Sequence, residues 1–212
     1  MEKQSGMPRY DTEGRYRALL EAGEISLCSG YDQAQPQRIA KAAGVSVGLF
    51  YRHFKNKQEL LTAIMVHHLE SLHCQIRQEV EQCSDAVEIL QSVLLLTLRY
   101  FQVHQGLIKL FFMQIGYGNE TAIAQLQEVR QSYRLILQSM IQTGIAAGIF
   151  LDSDALDVEI AITSIIGTIN WSLYDLLLVK HENIQPDELT EKLTVHILRG
   201  LGYRVDAKMR QD

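Results

Sequence analysis

Three features of this 212-residue chain predict an all-α fold. No stretch of useful length alternates apolar and polar residues with the period of a strand, and apolar residues recur instead at helical spacing. Pro36 and Pro186 stand where helices would begin, and residues Gln35 to Lys57 read as two short helices around a tight turn. A content of 47% hydrophobic and 21% charged residues is enough to bury a core and fits one or two domains.

Residues 1–10 read as a loose arm, followed by a helix from about Asp11 to Ser29 with Leu19, Ala22, Gly23 and Leu27 on one face. The next helix carries Ile39, Ala40 and Ala43 on one side and stops at Gly44, where a positive φ is needed. Ser46 can cap a helix holding Gly48, Phe50, Tyr51 and Phe54. Ala40 and Gly44 are small enough for two helices to cross steeply, which makes this segment a helix-turn-helix, with an ordinary helical hairpin as the alternative. Asn56 and Glu59 form a capping box that opens a long helix to about Cys83, placed to act as a lever. Asp85 and Glu88 repeat the signal before a helix Ala86 to Gln105, and a short one follows from Leu107 to Ile115. Asn119 can cap a helix ending at Gly148, and Asp152 or Ser153 opens another to about Lys180. Pro186 leads a last helix that stops near Gly200 to Gly202, ahead of a polar tail beyond Tyr203. About nine helices result, divided into a head, residues 1–56, and a body, residues 57–212.

Gly30-Tyr31, Ile39-Ala40, Ala43-Gly44-Val45-Ser46, Tyr51-Arg52-His53-Phe54 and Lys55-Asn56-Lys57-Gln58-Glu59-Leu60 resemble, in order and spacing, the N-terminal pattern of the TetR family of transcriptional regulators. Departures are Ala34 where a capping Thr or Ser is usual, Val47 and Leu49 where Lys and Thr are common, and Ser26 in place of a core aromatic. The resemblance implies a TetR-like fold: a three-helix DNA-binding domain joined to a helical ligand-binding and dimerisation domain. It also implies a cytoplasmic bacterial homodimer, usually a repressor, bound to a palindromic operator on double-stranded DNA.

Within that frame, Ser46, Tyr51, His53, Lys55 and Lys57 are the expected phosphate contacts, since hydroxyls, an imidazole and amines at a helix flank meet the backbone without reading sequence. The family pattern falls most directly on Tyr51, His53 and Lys57. Base edges fall to Gln37, Val47, Gly48, Leu49 and Arg52. Because Val47 and Leu49 cannot hydrogen-bond bases, thymine-methyl contacts and shape readout are expected. In the body, Tyr100, Phe101, His104, Phe111, Phe112, Gln114, Tyr117 and Tyr133, with Asn170, Trp171 and Tyr174, mix apolar walls with sparse polar handles. They are candidates for an effector pocket, plain core being the alternative. Residues 131–167 are similar to TetR regulators that answer to fatty acyl-CoA or related hydrophobic compounds. The last two long helices are apolar on more than one face, through Ile162, Ile166, Ile169 and Leu173, then Leu193, Ile197 and Leu201. Such helices need cover that a partner subunit or the chain itself can supply.

Residues 1–57 carry nine Lys and Arg against six Asp and Glu, a net +3, which leaves −8 for the rest of a chain of net charge −5. A basic head on an acidic body suits a protein that touches phosphate at one end. Cys28, Cys74 and Cys83 lack CxxC spacing, and His67, His68 and His73 show no i, i+4 pair, so neither disulfide framework nor metal site is expected. There is no GxSxG or P-loop, and Gly116-x-Gly118 lacks the third glycine of a dinucleotide site, so no cofactor and no catalysis are expected. Polar residues interrupt the most apolar stretch, Ala161 to Val179, and no leader peptide is visible, which points to the cytoplasm. A DNA-binding adaptor whose body binds a protein partner is the rival function.

Overall fold

A computed structural model describes residues 12–117, 120–152 and 157–203, and side chains other than those of 12 and 113–123. The expected arm, the caps Asn119 and Ser153, the tail after Tyr203 and the side chains of Gln114 and Tyr117 lie outside the described residues. Among the described residues there are nine α-helices, one π-helical turn and no strand. The chain forms two compact units that divide between Ile64 and Met65, eight residues beyond the boundary after residue 56 that the sequence suggests.

The first unit holds α1 (Thr12–Ser29), α2 (Pro36–Ala42), α3 (Val47–His53) and the start of α4 (Lys57–Val80). Gln35 precedes α2 without a side-chain cap, and the fixed φ of Pro36 starts the helix instead. At the other end Gly44 sits at φ +67°, and Val45 N donates to Ala40 O at 2.9 Å. That left-handed stop would strain any residue bearing a Cβ. Ser46 Oγ accepts from Leu49 N at 3.2 Å and caps α3, a contact worth about 1 kcal/mol. Asn56 Oδ1 accepts from Gln58 N and Glu59 N, both at 2.9 Å, while Glu59 Oε2 accepts from Lys55 N at 2.7 Å. This is the capping box, reaching back one residue further than its usual form. Leu19, Leu27, Ile39, Phe50 and Leu60 are fully buried and lock the three helices around α4.

The second unit holds the remainder of α4, then α5 (Ala86–Val103), α6 (Gly106–Tyr117), α7 (Glu120–Ala146), α8 (Val158–Tyr174) with a π-helical turn over Asp175–Val179, and α9 (Pro186–Gly200). Asp85 Oδ1 caps α5 through Val87 N and Glu88 N at 2.8 and 3.0 Å. α5 is the central helix, packed on α7, α8 and α9, and buries Leu90, Val93, Leu94 and Leu98. Each such side chain contributes about 1.5–3 kcal/mol. Between α7 and α8 the Phe150 ring closes over Gly144, where a Cβ would lie 2.1 Å from the ring.

Several expectations are corrected here. α8 opens at Asp157, whose carboxylate accepts from Ile160 N at 3.0 Å, and not at Asp152. It does not run as α-helix to Lys180 but widens, with Lys180 N donating to Asp175 O at 2.8 Å. By length and hydropathy, Ala86–Val103 and Val158–Val179 could each cross a membrane, despite the polar residues that interrupt the second. Both pack into the bundle here, with Leu90 and Leu173 wholly buried. Finally, Ile162, Ile169, Leu173, Leu193, Ile197 and Leu201 are buried within the single chain, and Ile166 is half-buried. α5, α8 and α9 cover one another within the single chain. The apolar residues left open on α8 and α9 are Ile160, Trp171 and Val195, at 65%, 62% and 49% exposure.

Candidate functional site

In the first unit, α2 and α3 present exposed polar and cationic side chains: Gln37, Arg38 and Lys41 on α2, Tyr51 and Arg52 on α3, and Lys55 just beyond it. Ser46 and Gly48 are also exposed, while Val47 and Leu49 are half-buried. A shallow groove of about 450 Å³ brings Ser46, Gly48, Leu49 and Arg52 together with Gly44, Val45 and Arg15. Arg15 lies on α1, far away in sequence, and only folding adds it to this surface. Tyr51 stands edge-on against the buried Phe50 ring at 5.4 Å, so the ring is braced on one side while half of the residue stays exposed. Lys55 pairs with Glu59 at 3.6 Å, a solvated i, i+4 contact of little strength.

Two expected phosphate ligands have internal partners. Lys57 Nζ donates to Tyr31 O at 2.7 Å and lies 4.1 Å above the Tyr31 ring, tying the loop after α1 to the first turn of α4. Its ammonium retains two further N–H donors. The His53 ring packs on Tyr16 at 5.4 Å and on Phe54 at 6.1 Å. Its Nε2 is buried with no hydrogen-bond partner among the described residues.

The second unit contains a cavity of about 350 Å³ walled by α4, α5, α6, α7 and α8. Of the expected pocket residues it gathers Phe101, Phe111, Phe112, Tyr133, Asn170 and Trp171. Tyr100, His104 and Tyr174 do not line it. Tyr100 Oη and His68 Nδ1 are 2.7 Å apart and the His104 ring lies 4.6 Å from that of Tyr100, forming a separate cluster. Tyr174 packs on Phe112 and Trp171, at 4.6 and 5.3 Å.

Other walls come from residues the sequence did not assign to the pocket: Leu69, Leu72 and His73 on α4, Thr97 on α5, Arg130 and Arg134 on α7, and Ile166, Gly167 and Ile169 on α8. Their i, i+3 and i, i+4 spacing on α4 and α7 was the available signal, but it does not say what those faces meet. Ser132 Oγ donates to Val129 O at 2.8 Å, which leaves its oxygen to accept from His73 Nδ1–H at 3.0 Å. Burial, then the Arg77 cation, push the His73 pKa down to about 4, so the imidazole is neutral at pH 7. Its ring stacks on Tyr133 at 5.1 Å. Tyr133 is pushed up to about 12 by burial, opposed by its hydrogen bond with Thr97. Arg134 pairs with Glu159. Arg130 lies 5.3 Å from the Phe111 ring centroid, with its pKa lowered by burial. The chamber is apolar over most of its surface with a few fixed polar groups, which is the lining typical of small-molecule pockets. Among the described residues no group of three or more His, Cys, Asp or Glu is placed to hold a metal ion.

Comparison with known proteins assigns both units. The family described as "Bacterial regulatory proteins, tetR family" matches residues 24–64, and that described as "Tetracyclin repressor-like, C-terminal domain" matches residues 83–174. The Fatty acid metabolism regulator protein of Bacillus subtilis is 26% identical over 157 residues, 74% of this chain and 80% of that protein. The HTH-type transcriptional activator FasR of Mycolicibacterium smegmatis is 34% identical over 79 residues, 37% of this chain and 35% of that protein. Among solved structures, FadR from Bacillus subtilis in complex with stearoyl-CoA superposes with a TM-score of 0.77 at 22% identity, over 87% of this chain and 98% of that one. FadR from Bacillus halodurans gives 0.76 at 24%, over 88% and 99%. These structural likenesses are likenesses of fold, and together with the matched head and body they make this chain a member of the TetR family of bacterial transcriptional regulators, not an enzyme.

Proposed function

We propose that this regulator acts in the cytoplasm as a homodimeric repressor on a palindromic operator and is released by a small hydrophobic effector, with a long-chain acyl-CoA as the first candidate. The observation that carries the reading is the apolar-walled cavity in the second unit, one side of which is α4. The same helix supplies Lys57 to the head and Leu69, Leu72 and His73 to the cavity wall. A ligand that prefers one setting of α4 can therefore bias DNA binding, provided its affinities for the two settings differ. The names of the Bacillus subtilis relative and of the stearoyl-CoA complex support the choice of effector. A chamber of this volume favours a small molecule over the rival protein partner, which would call for a flat apolar surface.

In this reading Ser46, Tyr51, Lys55 and the remaining donors of Lys57 hold phosphates, with His53 bracing the end of α3. Gln37, Val47, Gly48, Leu49 and Arg52 face the bases, and Arg15 joins them at the groove edge. The dimer forms through the open side of α8 and α9, where Ile160, Ser164, Thr168, His196 and Gly200 line a groove of about 320 Å³. Gel retardation with DNA from upstream of its own gene, at low salt and with stearoyl-CoA titrated in, tests the whole. Retardation that stearoyl-CoA reverses is expected. Absence of retardation, or reversal by polar metabolites but not by hydrophobic ones, would overturn it.

A further inference from the structure

We propose that Arg130 is the charge anchor of the effector, so that the regulator responds to an amphiphile with an anionic group seated on this guanidinium and an apolar body in the cavity. The inference rests on the ligand-responsive reading above and names the ligand chemistry. Among the described residues the cavity lining holds two arginines and no carboxylate. Arg134 is neutralised by Glu159. His73 and Tyr133, the other titratable groups in the wall, are held neutral near pH 7 by burial. Arg130 is the remaining charge, and among the described residues no carboxylate pairs with it.

Among the described residues its side-chain partner is the face of Phe111, itself a cavity residue. A ring quadrupole offsets only part of what a guanidinium loses on leaving water. The guanidinium is half-buried, and its pKa, lowered by burial, registers the desolvation that remains. Five N–H donors in a planar fork match a carboxylate or phosphate, and such charge-assisted contacts are the strong ones in a water-poor site. Leu69, Leu72, Phe101, Ile166 and Ile169 supply much of the remaining wall, apolar side chains that suit a hydrocarbon chain.

An anion of this kind can be a carboxylate at the end of a fatty chain or a phosphate carried by an acyl thioester, and ligand choice separates them. The one tryptophan, Trp171, lines the cavity, so its fluorescence reports binding directly. Palmitate, palmitoyl-CoA and the neutral hexadecanol are titrated into the full-length protein and into Arg130→Gln and Arg130→Lys, with release of operator DNA as a second readout. On wild type at least one anion should bind roughly ten- to a hundredfold more tightly than the alcohol. Arg130→Gln should abolish that preference while leaving hexadecanol binding unchanged, and Arg130→Lys should restore part of it.

Sensitivity of palmitate alone to Arg130→Gln identifies a carboxylate on Arg130, and sensitivity of palmitoyl-CoA alone identifies a phosphate. Equal binding of alcohol and both anions to wild type would overturn the charge anchor and leave the hydrophobic-effector reading standing; that comparison needs no variant to fold. Failure of all three to change Trp171 fluorescence or release DNA would overturn both.

Discussion

At the scale of single residues, His73 shows how burial fixes a protonation state. Its Nδ1–H is spent on Ser132, its ring lies on Tyr133, and burial followed by the Arg77 cation hold its pKa near 4. An unfolded chain titrates this imidazole near pH 6.5. Between those two values the unfolded state binds a proton that the native state refuses, so stability rises with pH across that window. The contribution is complete above about pH 6.5 and is lost as pH falls toward 4, by up to about 3 kcal/mol. Urea unfolding at about pH 4.5 and 7 checks this: His73→Gln should lose clearly less stability on acidification than wild type. Equal losses would place the acid sensitivity elsewhere. The sequence allowed His73 to be either a surface or a satisfied core residue. What decides between them is Ser132, on another helix, which no local pattern announces.

At the scale of elements, local chemistry was readable and long-range juxtaposition was not. The stops and starts at Pro36, Gly44, Ser46, Asn56, Asp85 and Pro186 follow from groups within four residues of each helix end, which explains why α2 through α5 and α9 begin where the sequence puts them. α8 misled because Asp152 is a plausible cap by type, yet the free amide of Ile160 is met by Asp157. The aromatic side of the cavity, on α6 and α8, could be read as a cluster. Arg130 and Arg134 could not, because on α7 alone they look like solvated positions. α3 carries its own prediction. Val47 and Leu49 are only half-buried, so part of each apolar surface faces outward at the start of the helix. Replacing both by Ala should leave overall DNA affinity within a few-fold and flatten the preference for thymine at the facing positions. Each lost methyl contact should be worth less than the roughly 1–3 kcal/mol of a bidentate base pair contact. An unchanged ranking of operator variants in competition assays would show that these side chains do not read sequence.

At the scale of the whole molecule, charge and symmetry set what the protein can hold. A net +3 over residues 1–57 against −8 for the remainder confines the phosphate attraction to the head. In the proposed dimer two such heads meet half-sites about 34–36 Å apart or a multiple of that, and each head alone makes few contacts. The open face of α8, with Ile160, Ser164 and Thr168 one turn apart, is small enough to let a second helix pair approach closely, and His196 and Gly200 continue it on α9. Because Ile160 is 65% exposed in the single chain, Ile160→Asp should leave the fold and the Trp171 cavity intact while placing two carboxylates face to face at a two-fold contact. Analytical ultracentrifugation should then show monomers. Operator affinity should fall by about two orders of magnitude or more, since the second head no longer binds as part of one molecule. The slope of log affinity against log salt should drop to roughly half, because half the phosphates are neutralised per binding event. A variant that still sediments as a dimer and keeps the full slope would move the interface away from α8 and α9, and with it the spacing expected of the operator.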